Sequence, residues 1–217
     1  MPYEKRKNGV RPLIYNRRLG ILISGRGSNL QAIIDAITSG RLNAEIAVVI
    51  SNRADAQGLE RARQAGIEAL HLDHRAYPSR AEYDSVLVAE LRKRDVRLVC
   101  LAGFMRLLSP GFIDAFPNAI LNVHPSLLPA FPGVDAQHQA WNHGVKVSGA
   151  TVHFVTADLD AGPIVMQSAV EVRDDDTAEA LADRILTEEH HIYPDAIGLV
   201  LDGAVRIEGR RVVRTGW

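Results

Sequence analysis

Between Leu19 and Ala102 short apolar runs alternate with longer stretches of helical period, and that alternation leaves few folds open. Leu19–Ser24 (LGILIS), Ala44–Ile50 (AEIAVVI), Ile67–Leu72 and Arg97–Ala102 (RLVCLA) read as strands. Between them, Ser28–Thr38 spaces Leu30, Ile33, Ile34 and Ile37 by three and four, the stripe of an amphipathic helix that Gly40 ends. Ala56–Gln64, stopped at Gly66, and Ser79–Arg94, striped by Tyr83, Leu87 and Leu91, are two more helices. Such α/β alternation implies a mostly parallel twisted sheet flanked by helices, with right-handed crossovers. Runs such as AVVI are apolar at every position, as strands covered on both faces should be.

The second half is less regular. Ile120–Val123 reads as a short strand leading into the Pro-rich loop Pro125–Gly133. Ala136–Asn142 is a short helix, Gly149–Thr156 and Ile164–Val170 are strands, and Asp158–Pro163 (DLDAGP) is a loop between them. Thr177–Leu201 carries a long helical pattern with Pro194 inside it, which predicts a kink or break near Tyr193. Val205–Val213 reads as a terminal β-hairpin turning at Glu208-Gly209. No repeat or linker divides the chain, so residues 19–217 are expected to form a single domain of two lobes. Ahead of it, residues 1–18 read as a solvated basic arm, where Lys5, Arg6, Lys7, Arg11, Arg17 and Arg18 meet one acid, Glu4.

Composition narrows the function. With 25 Lys+Arg, 26 Asp+Glu and a net charge of -1, the chain lacks the overall field of a dedicated nucleic-acid or membrane-surface binder. No apolar run nears the roughly 20 residues that span a bilayer. The single cysteine, Cys100, excludes an internal disulfide and a multi-Cys zinc site, and fits a reducing, cytoplasmic setting. Oligomeric state is left open.

The first strand runs into Ser24-Gly25-Arg26-Gly27-Ser28-Asn29 and then the first helix. A helix start has free N–H groups and a partial positive charge, and glycines let an anion approach the backbone. Leu30 stands where a dinucleotide fingerprint needs its third glycine. The second strand ends in Ser51-Asn52 without an acid for a ribose, and no Gly-Lys-Ser/Thr follows the turn. A monophosphate fits this turn better than NAD or ATP. The plainer alternative is a tight turn with Ser28 capping the helix.

Asn122 and His124 sit two apart on a strand and so share a side, at a carboxyl end where open α/β sheets place their clefts. An amide can donate to a carbonyl oxygen becoming an oxyanion, and an imidazole can carry a proton near neutral pH, which suits acyl transfer. The loop after the next strand offers two acids to orient the histidine, Asp158 and Asp160, and the residues alone leave both open. Pro125, Pro129 and Pro132 stiffen the loop after His124, and Leu128-Pro129 is the bond expected to be cis. Cys100 lies in an apolar strand and reads as inert. His153, mid-strand, reads as a satisfied structural residue, and His71, His74, His190 and His191 lack the spacing of a metal site.

Six segments, in order, resemble the glycinamide ribonucleotide transformylase family. They are ISGRGSNLQAII (Ile23–Ile34), SNRADAQGLERARQAGI (Ser51–Ile67), LAGFMRLLSP (Leu101–Pro110), LNVHPSLLPAFPG (Leu121–Gly133), VHFVTADLDAGPI (Val152–Ile164) and EEHHIYP (Glu188–Pro194). The resemblance implies a Rossmann-like formyltransferase fold, with phosphate bound by the N-terminal half and folate by the C-terminal half. It implies formyl transfer from the co-substrate 10-formyltetrahydrofolate to the amine of 5-phosphoribosylglycinamide in de novo purine synthesis. No metal, nucleic acid or membrane is implied. It implies that Asn122, His124 and Asp160 are catalytic, which decides between the two acids. Gly27, Ser28 and Asn29 would hold the substrate phosphate, and Glu189 the ribosylglycinamide. Arg80, Met105, Arg106, Leu107, Leu108, Asn122 and the loop Thr156, Ala157, Asp158, Leu159 and Asp160 would hold the folate. Asp135 and Gln137 depart from the family, which often has histidines there, and the basic arm is extra.

Neighbouring activities would look different. A 10-formyltetrahydrofolate deformylase resembles His-His-Ser where this chain has His124-Pro125-Ser126. A methionyl-tRNA formyltransferase is expected to be more basic, with a C-terminal tRNA-binding domain. A non-catalytic phosphate sensor needs the glycine-rich turn but not the Asn122, His124 and Asp160 set.

Overall fold

Ten-residue periods of strand and helix do assemble as the alternation implies. A computed structural model describes residues 16–215. The rest of the basic arm, residues 1–15, lies outside the described residues. In chain order the first half gives β1 (Arg18–Ile23), α1 (Ser28–Thr38), β2 (Glu45–Ser51), α2 (Gln57–Gln64), β3 (Ala69–His71), α3 (Arg80–Arg92) and β4 (Leu98–Leu101). The second half gives α4 (Pro110–Ala115), β5 (Ile120–His124), α5 (Ala136–His143), β6 (Val147–Phe154), β7 (Ile164–Glu171), α6 (Ala178–Leu201), β8 (Val205–Glu208) and β9 (Arg211–Arg214). Among the described residues these strands form one sheet, ordered β3-β2-β1-β4-β5-β6-β7-β9-β8.

The pairing from β3 to β5 is parallel, β6 and β7 run antiparallel to their predecessors, β9 joins β7 in parallel, and β8 and β9 form an antiparallel hairpin. The hairpin turns at Gly209-Arg210, one residue later than the sequence suggests. Strand order reverses at β1, so a crevice opens between the carboxyl ends of β1 and β4. The two loops there are tied together. Ser24 donates its N–H to the Gly103 carbonyl at 3.0 Å, and its hydroxyl accepts the Met105 N–H at 2.9 Å.

Alternation along β1 builds two cores. Leu19, Ile21 and Ile23 pack with Leu30 and Ile33 of α1, Leu59 of α2, and Leu181, Ile185 and Ile197 of α6. Leu22 faces the other way, toward Tyr83, Leu87 and Leu91 of α3 and Phe112 of α4. No helix among the described residues is long and apolar enough to cross a membrane.

Three expectations change. α4 was not foreseen: it is six residues long and opens on Pro110, too short to show a stripe. α6 runs without a break through Pro194. Tertiary packing overrides the local cost there. Tyr193 is fully buried, and its hydroxyl lies 3.0 and 3.1 Å from the carbonyl oxygens of Leu101 and Leu121, to which it donates. The body also begins before residue 19. Arg18 opens β1 and pairs with Glu45 at 3.3 Å, while Arg17 pairs with Asp202 at 2.8 Å and donates to the Asn43 carbonyl.

Tyr193→Phe removes the donor that joins α6 to the sheet. It should lower unfolding free energy by about 1–2 kcal/mol in chemical denaturation, with helix content unchanged by circular dichroism.

Candidate active site

β5 is extended, so Asn122 and His124 project to the same side, about 7 Å apart along the strand. The antiparallel register sets His153 of β6 opposite Asn122, and Thr151 opposite His124. Nδ1 of His153 is 2.9 Å from the Phe154 carbonyl, an acceptor only, so Nδ1 carries the proton and Nε2 accepts. The Asn122 amide nitrogen, 3.2 Å away, donates to that Nε2 and keeps a second N–H free for a ligand. Burial lowers the pKa of His153 and holds it neutral, against the opposing pull of the Phe154 carbonyl and Asp160. His153 is satisfied, as its sequence position suggested, but one of the partners that satisfy it is Asn122.

His124 is held from both sides. Its Nε2 donates to the Phe131 carbonyl at 2.8 Å, and its Nδ1 lies 3.5 Å from Asp160 Oδ2. Both ring nitrogens face acceptors, so both donate only in the imidazolium form. Asp160 adopts φ 48°, and its side chain is 10% exposed. Its Oδ2 accepts the Gly133 N–H at 2.8 Å, and its Oδ1 lies 3.7 Å from His153 Nε2. Asp158, the other acid of this loop, is exposed to solvent. The geometry thus brings Asp160, rather than Asp158, to the histidine.

The loop after His124 contains the cis peptide expected at Leu128-Pro129. Hydrogen bonds hold it as well. The buried Thr151 hydroxyl donates to the Ser126 carbonyl at 2.6 Å and accepts from the Leu128 N–H at 3.1 Å and from Gln167 Nε2 at 3.0 Å. Gln167 also donates to the Leu128 carbonyl at 2.9 Å.

At the glycine-rich turn, Gly27 is the N-cap of α1, in the left-handed region at φ 72°. Ser28 is the first helical residue and caps nothing, and the first turn holds no acid. A Cβ on Gly27 would fall 2.6 Å from the Gly58 Cα, so close packing on α2 demands this glycine as much as its φ does. Asn29 does not offer its amide to the turn. Its Nδ2 donates to Glu189 Oε2 at 2.6 Å. Glu189 is 6% exposed, and burial pushes its carboxyl from 4.5 up to about 7, against the pull of Asn29 and Arg26.

The stretch Met105–Leu108 lies on the loop between β4 and α4, with Met105 75% and Leu107 58% exposed. Leu159, in the loop after β6, is also exposed, and exposed apolar side chains on loops mark a surface that a ligand covers. Arg106 stacks its guanidinium 5.5 Å from the ring centre of Tyr83. Arg80 opens α3 one turn before Tyr83. Asp135 caps α5 and pairs with His138 at 2.6 Å; Gln137 beside it is partly buried. Among the described residues, no three His, Cys, Asp or Glu side chains are grouped to hold a metal ion.

A model of the formyl transferase family, described as "Formyl transferase", matches residues 17–197. The chain belongs to the formyl transferase family. The phosphoribosylglycinamide formyltransferase of Escherichia coli (strain K12) is 44% identical over 91% of this chain and 96% of its own length. The trifunctional purine biosynthetic protein adenosine-3 of Homo sapiens is 46% identical over 88% of this chain, which spans 19% of that longer protein. The crystal structure of glycinamide ribonucleotide transformylase 1 from Symbiobacterium toebii superposes with a TM-score of 0.91 at 59% identity, over 93% of this chain and 95% of that one.

Two residues of this formyl transferase escaped the sequence reading, His153 and Thr151. Both act across the β5–β6 register, which no periodicity reveals. Replacing His153 by Phe should leave Asn122 free to rotate. Turnover should fall about 10-fold, less than loss of the amide itself, with KM little changed in steady-state assays. Glu189 predicts a pH effect. Between 4.5 and about 7 the folded chain keeps a proton that the unfolded chain releases, so stability falls as pH rises through that window. Denaturation curves of Glu189→Gln should lose this slope.

Proposed function

We infer that this chain transfers the formyl group of 10-formyltetrahydrofolate to the amine of 5-phosphoribosylglycinamide, a step of de novo purine synthesis. One observation carries the reading: an amide with a free N–H, Asn122, stands beside a histidine held against a buried carboxylate at the carboxyl end of β5. The family membership and the names of the bacterial relatives that match along nearly their whole length support it.

In this mechanism the substrate amine attacks the formyl carbon, and the carbonyl oxygen gains negative charge. The free Asn122 N–H donates to that oxyanion, and the His124 imidazolium supplies positive charge beside it. Asp160 balances that charge and fixes the ring. The C–N bond to the folate then breaks, the folate nitrogen takes up a proton, and the attacking amine loses one. No covalent enzyme intermediate is needed, because orientation and a prearranged field carry the rate.

The substrate phosphate docks on the N–H groups of Ser28 and Asn29 at the start of α1, with Gly27 giving access, and Glu189 faces the ribosylglycinamide. The folate lies on Met105, Arg106, Leu107, Leu108 and the Thr156–Asp160 loop, with Arg80 toward its acidic end. Residues 19–217 act as one formyltransferase domain on this reading. The reaction belongs to the cytoplasm, where a buried free thiol such as Cys100 stays reduced.

Mixing the protein with 10-formyltetrahydrofolate should release folate only when ribosylglycinamide is present. Release without the amine would make the chain a hydrolase and sink the reading. Asn122→Ala and His124→Ala should each slow transfer at least about 100-fold while melting curves stay near wild type.

A further inference from the structure

Beside the Met105–Arg106 part of the folate wall lies a cavity of about 630 Å³ that the mechanism does not use. Its walls include Asn52, Arg53, His74, Arg75, Met105 and Arg106. It sits at the carboxyl ends of β1 and β2, against the short turn His74–Ala76. The floor is rigid: the buried Ser24 hydroxyl donates to Asn52 Oδ1 at 2.6 Å and accepts the Met105 N–H at 2.9 Å.

The charge here is unbalanced. Arg53 is bonded to Asp55 at 2.7 Å and Arg75 to Asp73 at 2.7 Å. Arg106 has no ion pair among the described residues, and its Nε is buried without a hydrogen-bond partner. Three guanidinium groups and His74, itself 3.9 Å from Asp73, thus face two carboxylates. Both paired arginines are well exposed, so exchanging a neighbouring carboxylate for an incoming one costs little.

We propose that this groove is a subsite for the γ-linked glutamate chain of folates that carry more than one glutamate. The proposal rests on the folate reading above. The groove shares Met105 and Arg106 with the folate wall, so it receives whatever continues past the acidic end of the donor. Each added glutamate brings one carboxylate, and guanidinium groups spaced along a groove pair with a chain of carboxylates. The cavity is too large for one phosphate, and the groove is built from side-chain cations rather than the main-chain N–H cradle of a phosphate turn.

The test measures KM for mono-, tri- and pentaglutamyl 10-formyltetrahydrofolate, with saturating ribosylglycinamide, in the wild-type protein and in Arg53→Glu and Arg75→Glu. Wild type should bind the longer donors about 10-fold more tightly at low salt, and the gain should shrink as salt rises. Charge reversal should abolish most of the gain and leave kcat and the monoglutamyl KM within about 2-fold, since exposed side chains are not needed for folding. A wild-type KM independent of tail length would overturn the proposal. So would a gain that survives both reversals, or a loss shared equally by the monoglutamyl donor. Inert monoglutamyl donor would instead strike down the folate reading itself.

Discussion

A buried carboxylate is costly unless donors surround it, and the reacting end of the cleft is arranged around one. Asp160 takes the Gly133 N–H on Oδ2, faces His124 with the same oxygen, and turns Oδ1 toward His153. Each contact serves a second purpose. Gly133 closes the Pro-rich loop, and Phe131 of that loop holds the far nitrogen of His124 through its carbonyl. The histidine is therefore clamped between a loop and a carboxylate that are bonded to each other. Removing the charge would release both at once, so Asp160 is a structural anchor as well as a charge partner.

The change of strand direction at β5 makes this arrangement available. Up to β5 the sheet is parallel, and the carboxyl ends of β1, β2, β4 and β5 all point the same way, with helix starts beside them. A further parallel strand would have carried its connecting loop from the opposite end. β6 instead runs back against β5, and that reversal sets His153 across from Asn122 and returns the 156–160 loop to the cleft end. Thr151, one pair further along, uses the same register to anchor the loop after His124.

Much of this was legible in the sequence. Strand and helix periods in the first half located β1 to β4 within a few residues, because doubly covered strands and striped helices leave plain patterns. The pairing of Asn122 with His124 followed from a period of two. What escaped depended on contacts between distant segments. His153 and Thr151 become informative only once β5 and β6 are in register. Pro194 read as a break because the burial of Tyr193 beneath the sheet carbonyls is invisible locally. Arg17 and Arg18 read as part of a charged arm, whereas Asp202 and Glu45 draw them onto the body.

The glycine-rich turn shows how one local motif can meet two demands. Its sequence suggested glycines kept clear for an anion. Yet Gly27 lies against Gly58, the Gly58 N–H is bonded to the Gly25 carbonyl at 3.1 Å, and Arg61 donates to the Arg26 carbonyl at 2.9 Å. α2 thus grips the turn from behind and uses its carbonyls, while its N–H groups point forward along α1. Asn29 is withdrawn to Glu189 on the other side. What remains for an anion is main chain rather than side chain. Those N–H groups are fixed by the helix they begin, so an anion placed there costs no rotamer entropy and meets the positive end of α1.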